Sequence, residues 1–302
     1  MNKFKVALLG KNQILEDELI NALIEKGVEE KNILSMNDDF NEITFDVENE
    51  EAKFYLPLES ERLQGFDAIF VLGGLTLSRI EFFKKLKEEI SVFVITNPYS
   101  EENLLIEEKK NFTFVLDPET YIISKIIKTL QPFHLNNFFW SIFESASSKG
   151  KEGLKELFEQ TRDVLNFKTP QINVFDRQLA FKLIPYKPEL NRETELKIRE
   201  MSGFKGSLLR NMLIIPCFYG TYINFFADLK MWKENYPSQI NFSFQKEPFW
   251  EYNENLCFED KEIEKPTLYL NTQPKCCING FIYFDHYKVL VNLAIENLAK
   301  LK

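Results

Sequence analysis

The sequence predicts an α/β domain followed by an α+β domain, on three observations. Short apolar runs alternate with amphipathic helical periods through roughly the first 130 residues. The chain opens Lys5-Val-Ala-Leu-Leu-Gly10-Lys-Asn12 straight into one such helix. After Pro132 the alternation gives way to strands separated by longer connections. Alternating strands and helices form a layered parallel sheet, whereas strands and helices mixed less regularly form an α+β layer.

The elements follow in order. Residues 5–9, 67–72, 92–96 and 113–116 read as buried parallel strands, being short, rich in β-branched or aromatic residues and bounded by turn or charged residues. Helical periods lie at 14–26 and 78–89. Leu15, Leu19, Ile20, Ala22, Leu23 and Ile24 share a broad face in the first, and Asn12 stands at its cap position. Residues 52–58 read as a further, antiparallel strand. Beyond Pro132, strands are expected at 137–143, 178–184, 213–218, 221–226 and 239–245. Helices are expected at 151–166, 192–201, 227–235 and 286–301. The opening strand, turn and helix have the frame of a Rossmann-type dinucleotide-binding domain. The predicted organisation is a Rossmann-type domain over 1–131, completed by a C-terminal helix at 286–302, and an α+β domain with a mixed or antiparallel sheet over 132–285.

At 302 residues and 44% hydrophobic content the chain can bury a full core in each domain. A net charge of -9 and a pI near 5.1 argue against the basic stripe that nucleic-acid binding needs. No apolar run is long enough to span a bilayer, and the N-terminus lacks an apolar stretch ending in a small-residue cleavage site. A soluble cytoplasmic protein without a membrane partner is therefore expected. Four cysteines, with Cys276 and Cys277 adjacent, do not make a disulfide framework in a chain of this size. With only His134 and His286, and no Cys-x-x-Cys pair, no metal site is expected. Cys217 reads as a small buried hydrophobe on an apolar strand, His286 as a capping or surface residue and His134 as loop packing.

A phosphate-gripping loop uses one glycine for the tight turn, a second for backbone approach and a third for helix–strand packing. Only Gly10 stands here; Gln13 and Glu16 hold the later positions. A carboxylate in the first turn suits the helix dipole but competes with a phosphate for the same positive end. The chain has 11 glycines, about half the ordinary usage of ~7%.

Ser147-Ser-Lys-Gly150-Lys-Glu-Gly153, running into Gln160-Thr161-Arg162, resembles the loop and helix that open the second domain of the aspartate-β-semialdehyde dehydrogenases. Gln178-Leu-Ala180-Phe-Lys-Leu-Ile184-Pro185, Ile215-Pro216-Cys-Phe218-Tyr-Gly220, Leu72-Gly73-Gly74 and Asn97 resemble the same family in the same order. The resemblance implies a Rossmann-type domain, a second domain that dimerises through its sheet, and reduction of β-aspartyl phosphate by NADPH. That chemistry passes through a cysteine thioester served by a histidine. It needs a thiolate, a proton donor within hydrogen-bond reach and arginines that clamp carboxylate and phosphate.

Carried over position by position, the resemblance puts none of those groups in place. The nucleophile's turn is Asp117-Pro118-Glu119-Thr120-Tyr121, with Thr120 or Tyr121 where the cysteine belongs. The histidine's position after Phe218-Tyr219-Gly220 holds Thr221, and the substrate arginine's holds Ile214. The glutamine near the thioester becomes Glu144, and the acid and base of the charged helix become Thr194 and Lys197. An arginine of the family falls within 97–102, where Glu101 and Glu102 are the only charges. Vestigial cofactor positions are Gly10, Asn12, Gly73, Gly74, Asn97 and Asp285. Tyr121, Tyr219 and Tyr222 are expected to fill the emptied cleft; the alternative is a small-molecule pocket lined by them with Glu144 and Lys197.

The resulting expectation is a degenerate homologue, a homodimer that binds, scaffolds or regulates. Its partner would be an active paralogue or another amino-acid biosynthetic enzyme. No cofactor is expected, with NADP binding only if its cleft is retained. The alternatives are an NAD(P)-dependent oxidoreductase of changed chemistry, using Gly10, Gly73, Gly74 and Asn97, and a small-ligand sensor that signals by domain closure.

Overall fold

The computed structural model describes residues 4–10, 12–37, 44–48, 51–59, 61–73, 79, 81–83, 89–95, 111–185, 191–246, 248–253, 265–272 and 277–300. The chain divides into two compact units, Met1–Asp117 with Leu290–Lys302, and Pro118–Val289.

In the first unit the strands are β1 (Val6–Leu9), β2 (Ile33–Asn37), β3 (Thr44–Glu48), β4 (Glu51–Pro57), β5 (Ala68–Leu72), β6 (Ser91–Ile95) and β7 (Phe112–Phe114). They form one sheet in the order β3-β4-β2-β1-β5-β6-β7. Every neighbouring pair is parallel except β3 with β4. β1 and β5 are buried along their whole length, as strands covered on both faces must be. The 52–58 strand is therefore antiparallel only to β3 and parallel to β2, which the sequence reading did not foresee. Helix α1 (Gln13–Glu25) starts where Asn12 Oδ1 accepts the Leu15 N–H at 3.2 Å. It ends in a Schellman turn, Val28 N–H donating to Leu23 O and Gly27, at φ +83°, to Ile24 O.

The second unit contains α2 (Pro118–Leu130), β8 (Leu135–Glu144), α3 (Gly150–Leu165), β9 (Ile184–Pro185), α4 (Asn191–Ser202), β10 (Ser207–Ile214) and β11 (Thr221–Leu229). There follow α5 (Tyr236–Gln245), β12 (Glu251–Asn253), β13 (Thr267–Asn271), β14 (Cys277–Phe284) and α6 (His286–Ala299), whose last turns fall in the first unit. The sheet runs β12-β13-β14-β11-β8-β10-β9. It is mixed, parallel at β8/β10 and β12/β13 and antiparallel elsewhere. Strand alternation sorts its side chains. Trp140, Ile142, Arg210, Ile214, Ile223, Phe225, Ile278 and Ile282 are buried on the inner face. Phe139, Phe143, Leu209, Tyr222, Phe226 and Tyr283 are half-buried or exposed on the outer one.

Four predicted elements are corrected. The 178–184 strand shrinks to β9, because the backbone before it bonds to side chains of α3: Glu156 accepts from Asn173 and Val174 N–H, and Gln160 Oε1 from Leu179 and Ala180 N–H. The 213–218 strand ends at Ile214; residues beyond it bond instead to the segment after β8, with Ala146 N–H on Cys217 O and Ser147 N–H on Phe218 O. The helix expected at 227–235 gives way to β11, which stays paired with β8 as far as Leu229. The strand expected at 239–245 is helix α5, since Tyr236, Ile240 and Phe244 are buried at four-residue spacing.

Gly10 (φ +122°) holds the turn after β1, and a Cβ there would lie 2.2 Å from Leu72 O of β5. Gly73 (φ +93°) has open space around it. Gly10→Ala is expected to cost roughly 2–4 kcal/mol, combining strain with overpacking, and Gly73→Ala only about 1–2 kcal/mol from strain. Urea unfolding of both variants checks the difference.

Candidate functional site

β8 lies between β10 and β11, and the register puts Ile214 opposite Glu144 on one side and Thr221 opposite Glu144 on the other. Three of the sequence-predicted positions thus stand level on three adjacent strands. Ile214 and Thr221 are buried and Glu144 is half-buried.

Four residues back along the inner face, Arg210 is opposite Trp140. Both bond to Glu119, in the first turn of α2. Glu119 Oε1 accepts from Trp140 Nε1 and from Arg210 Nε, each at 2.6 Å, and its Oε2 accepts from Arg210 Nη2 at 2.6 Å. Both side chains of the ion pair are 5% exposed. The bidentate fork and the indole together occupy the carboxylate, as a buried charge requires. Sequence reasoning missed this pair; its one signal is an arginine at a buried-parity position of an apolar strand.

Thr120 is buried beside Glu119 on α2. Tyr121 meets Phe249 edge-on at 4.9 Å, with Lys125 Nζ 5.3 Å from the tyrosine ring. Tyr222 does not join it. Alternation turns Tyr222 to the face opposite Thr221, where it stacks on Tyr283 at 4.4 Å, and Tyr219 is exposed. The expectation that all three tyrosines fill one cleft is corrected accordingly. Thr194 and Lys197 lie on α4, where Lys197 Nζ pairs with Glu200 at 2.9 Å.

Cys217 stands half-buried in the loop after β10 rather than buried on a strand, and its partial burial raises its thiol pKa. Asp285 Oδ1 accepts the N–H groups of Tyr287 (2.9 Å) and Lys288 (3.1 Å) and so caps α6. Asn12 caps α1 in the same way. Gly10 and Gly73 end the adjacent strands β1 and β5. Gly74 and Asn97 lie outside the described residues. Glu16 is turned away from the helix end: its fully buried carboxylate accepts from Ser35 Oγ of β2 at 2.5 Å and Tyr55 Oη of β4 at 3.1 Å. This corrects the reading in which it competes for a phosphate. Among the described residues no cluster of His, Cys, Asp and Glu is arranged to hold a metal ion, and no helix is long and apolar enough to cross a membrane.

Residues 130–281 match the family described as semialdehyde dehydrogenase, dimerisation domain. The chain belongs to the semialdehyde dehydrogenase family. Among curated proteins it is similar to the aspartate-semialdehyde dehydrogenase of Rickettsia bellii, 24% identical over 64% of this chain and 57% of that protein. It is also similar to that of Rickettsia conorii, 23% identical over 63% and 61%. The match thus spans less than two thirds of either relative's length. Aspartate semialdehyde dehydrogenase II from Vibrio cholerae, solved with ASA, superposes with a TM-score of 0.77 at 15% identity, covering 98% of this chain and 97% of that one. The Francisella tularensis enzyme superposes at 0.67 with 12% identity, over 98% of this chain and 100% of that one. At those identities the likeness shows the fold: an α/β unit with a mostly parallel sheet and the family's dimerisation domain.

Within this member of the family, Glu119→Ala leaves Arg210 buried without its carboxylate and is expected to cost about 3–5 kcal/mol. Replacing both partners, as Glu119→Leu with Arg210→Met, restores most of that stability; chemical denaturation of the three proteins checks it. Peptide-resolved alkylation at pH 8 is expected to modify Cys217 several-fold more slowly than a free thiol, because the thiolate is the reacting form.

Proposed function

We propose that this chain is a member of the semialdehyde dehydrogenase family without thioester chemistry, a cytoplasmic homodimer that acts by binding. Its role is to scaffold or regulate an active paralogue or another amino-acid biosynthetic enzyme. The observation that carries this reading is the level row Ile214, Glu144 and Thr221, with Thr120 and Tyr121 on α2. A threonine or tyrosine hydroxyl is a far poorer nucleophile for acyl transfer than a thiolate, threonine does not titrate near neutrality, and an isoleucine cannot clamp a carboxylate. The buried Glu119–Arg210 pair supports the reading too, since the carboxylate already takes the fork of the arginine.

The residues at the end of β1 do not fit a dinucleotide. Asn12 takes the Leu15 N–H group with its side chain, one of the helix-end donors that a pyrophosphate would need. Glu16 fills the place of the third glycine. No cofactor is therefore assigned. Dimerisation is supported by the matched domain and by the outer sheet face, where Phe139, Phe143, Phe226, Tyr222 and Tyr283 stand half-buried or exposed. A second reading, an NAD(P)-dependent oxidoreductase of changed chemistry, is favoured by Gly10 and Gly73 at adjacent strand ends, the crevice where such sheets bind nucleotides.

The relatives' printed name supplies the assay. With aspartate semialdehyde, phosphate and NADP, the purified chain is expected to give a rate equal to the protein-free blank. Calorimetric titration with NADPH is expected to show no micromolar binding. Turnover above the blank overturns the proposal, and micromolar binding without turnover moves the balance to the second reading.

A further inference from the structure

The turn after β1 is filled by a side chain from elsewhere in its own unit. Nη2 of Arg79 lies 3.3 Å from the point where a Cβ on Gly10 would stand, closer than an ordinary van der Waals contact. The same point is 2.2 Å from Leu72 O, at the end of β5. The guanidinium therefore lies where the carboxyl ends of β1 and β5 meet. Arg79 is 5% exposed and is engaged within the chain rather than free, as a buried guanidinium must be.

In open α/β sheets this is the place where ligands bind. β2, β4 and β3 lie on one side of β1, and β5, β6 and β7 follow on the other. The strand order thus reverses between β1 and β5, and the crevice beyond the carboxyl ends at such a switch point is the usual nucleotide site. A glycine ending β1 lets the phosphates of a dinucleotide come close to the backbone. Here the room that Gly10 leaves is taken by Arg79. Beside Gly73, at the end of β5, space is open, so the obstruction stands on the β1 side.

Two roles for an arginine at this place have opposite consequences. A guanidinium that receives a phosphate offers its N–H fork to the incoming ligand. One that fills the crevice is buried and engaged before any ligand arrives, and Arg79 is of this kind. Glu16 does not bar phosphates by its charge, since its carboxylate is turned to Ser35 and Tyr55. We infer that Arg79 is an internal stopper, a side chain that closes the crevice of the first unit against dinucleotides. This rests on the reading above that assigns no cofactor, and it names the side chain that does the excluding.

Calorimetric titration of the purified full chain and of Arg79→Ala with NADPH tests the inference. The variant is expected to bind at least about tenfold more tightly than the wild-type chain. The direction of the change separates the two roles, because loss of an arginine that held a phosphate weakens binding instead. Micromolar binding by the wild type that weakens in Arg79→Ala overturns the inference together with the reading it rests on. Equal affinities, in a variant that keeps the wild-type circular dichroism, overturn the inference alone and leave the missing glycines as sufficient cause. A second measurement needs no variant. Peptide-resolved modification by phenylglyoxal is expected to reach Arg79 at least about tenfold more slowly than Arg162, whose side chain is 56% exposed, at a rate that millimolar NADPH leaves unchanged. A rate equal to that of Arg162, or protection of Arg79 by NADPH, overturns the inference.

Discussion

Side-chain alternation along β8, β10 and β11 is the constraint on which the second unit depends. With β8 hydrogen-bonded to a parallel strand on one side and an antiparallel strand on the other, the two registers together decide which residues stand level. One parity carries Arg210, Trp140, Ile214 and Thr221 inward; the other carries Leu209, Phe139, Tyr222 and Phe226 outward. The candidate site and the face of half-buried and exposed aromatic residues are thus the two sides of one sheet. A slip of a single residue would exchange them.

The first unit was legible where burial was complete. β1, β5 and β6 are continuous apolar runs, and no other element accommodates so short a run covered on both faces. β2, reading Ile-Leu-Ser-Met-Asn, is only partly buried and has neither a continuous run nor a clean alternation. In the second unit the period was misread at 239–245, where aromatic residues suggested a strand although the buried ones recur every four residues. The segment before β9 failed for another reason. Its backbone partners are side chains of α3, about twenty positions away, which local pattern cannot reveal.

At the site, the family resemblance gave the positions as expectations, and the register brings Ile214, Glu144 and Thr221 level. The placement of Tyr222 was also within reach, because adjacent strand residues point to opposite faces and Thr221 had already been given the inner one. What stayed hidden was Glu119 with Arg210, partners 91 positions apart. Asn12 and Asp285 each have a structural use as a helix cap. Their presence therefore needs no bound nucleotide to account for it.

The Glu119–Arg210 fork also bears on which substitutions this chain can accept. Loss of either partner strands a charge in a dry interior, while replacement of both is tolerated. A single substitution at either position is therefore expected to cost stability that a matched pair of substitutions does not. Two positions 91 apart in the chain are thereby tied into one energetic unit, so an exchange at position 119 regains its stability only when position 210 is exchanged with it.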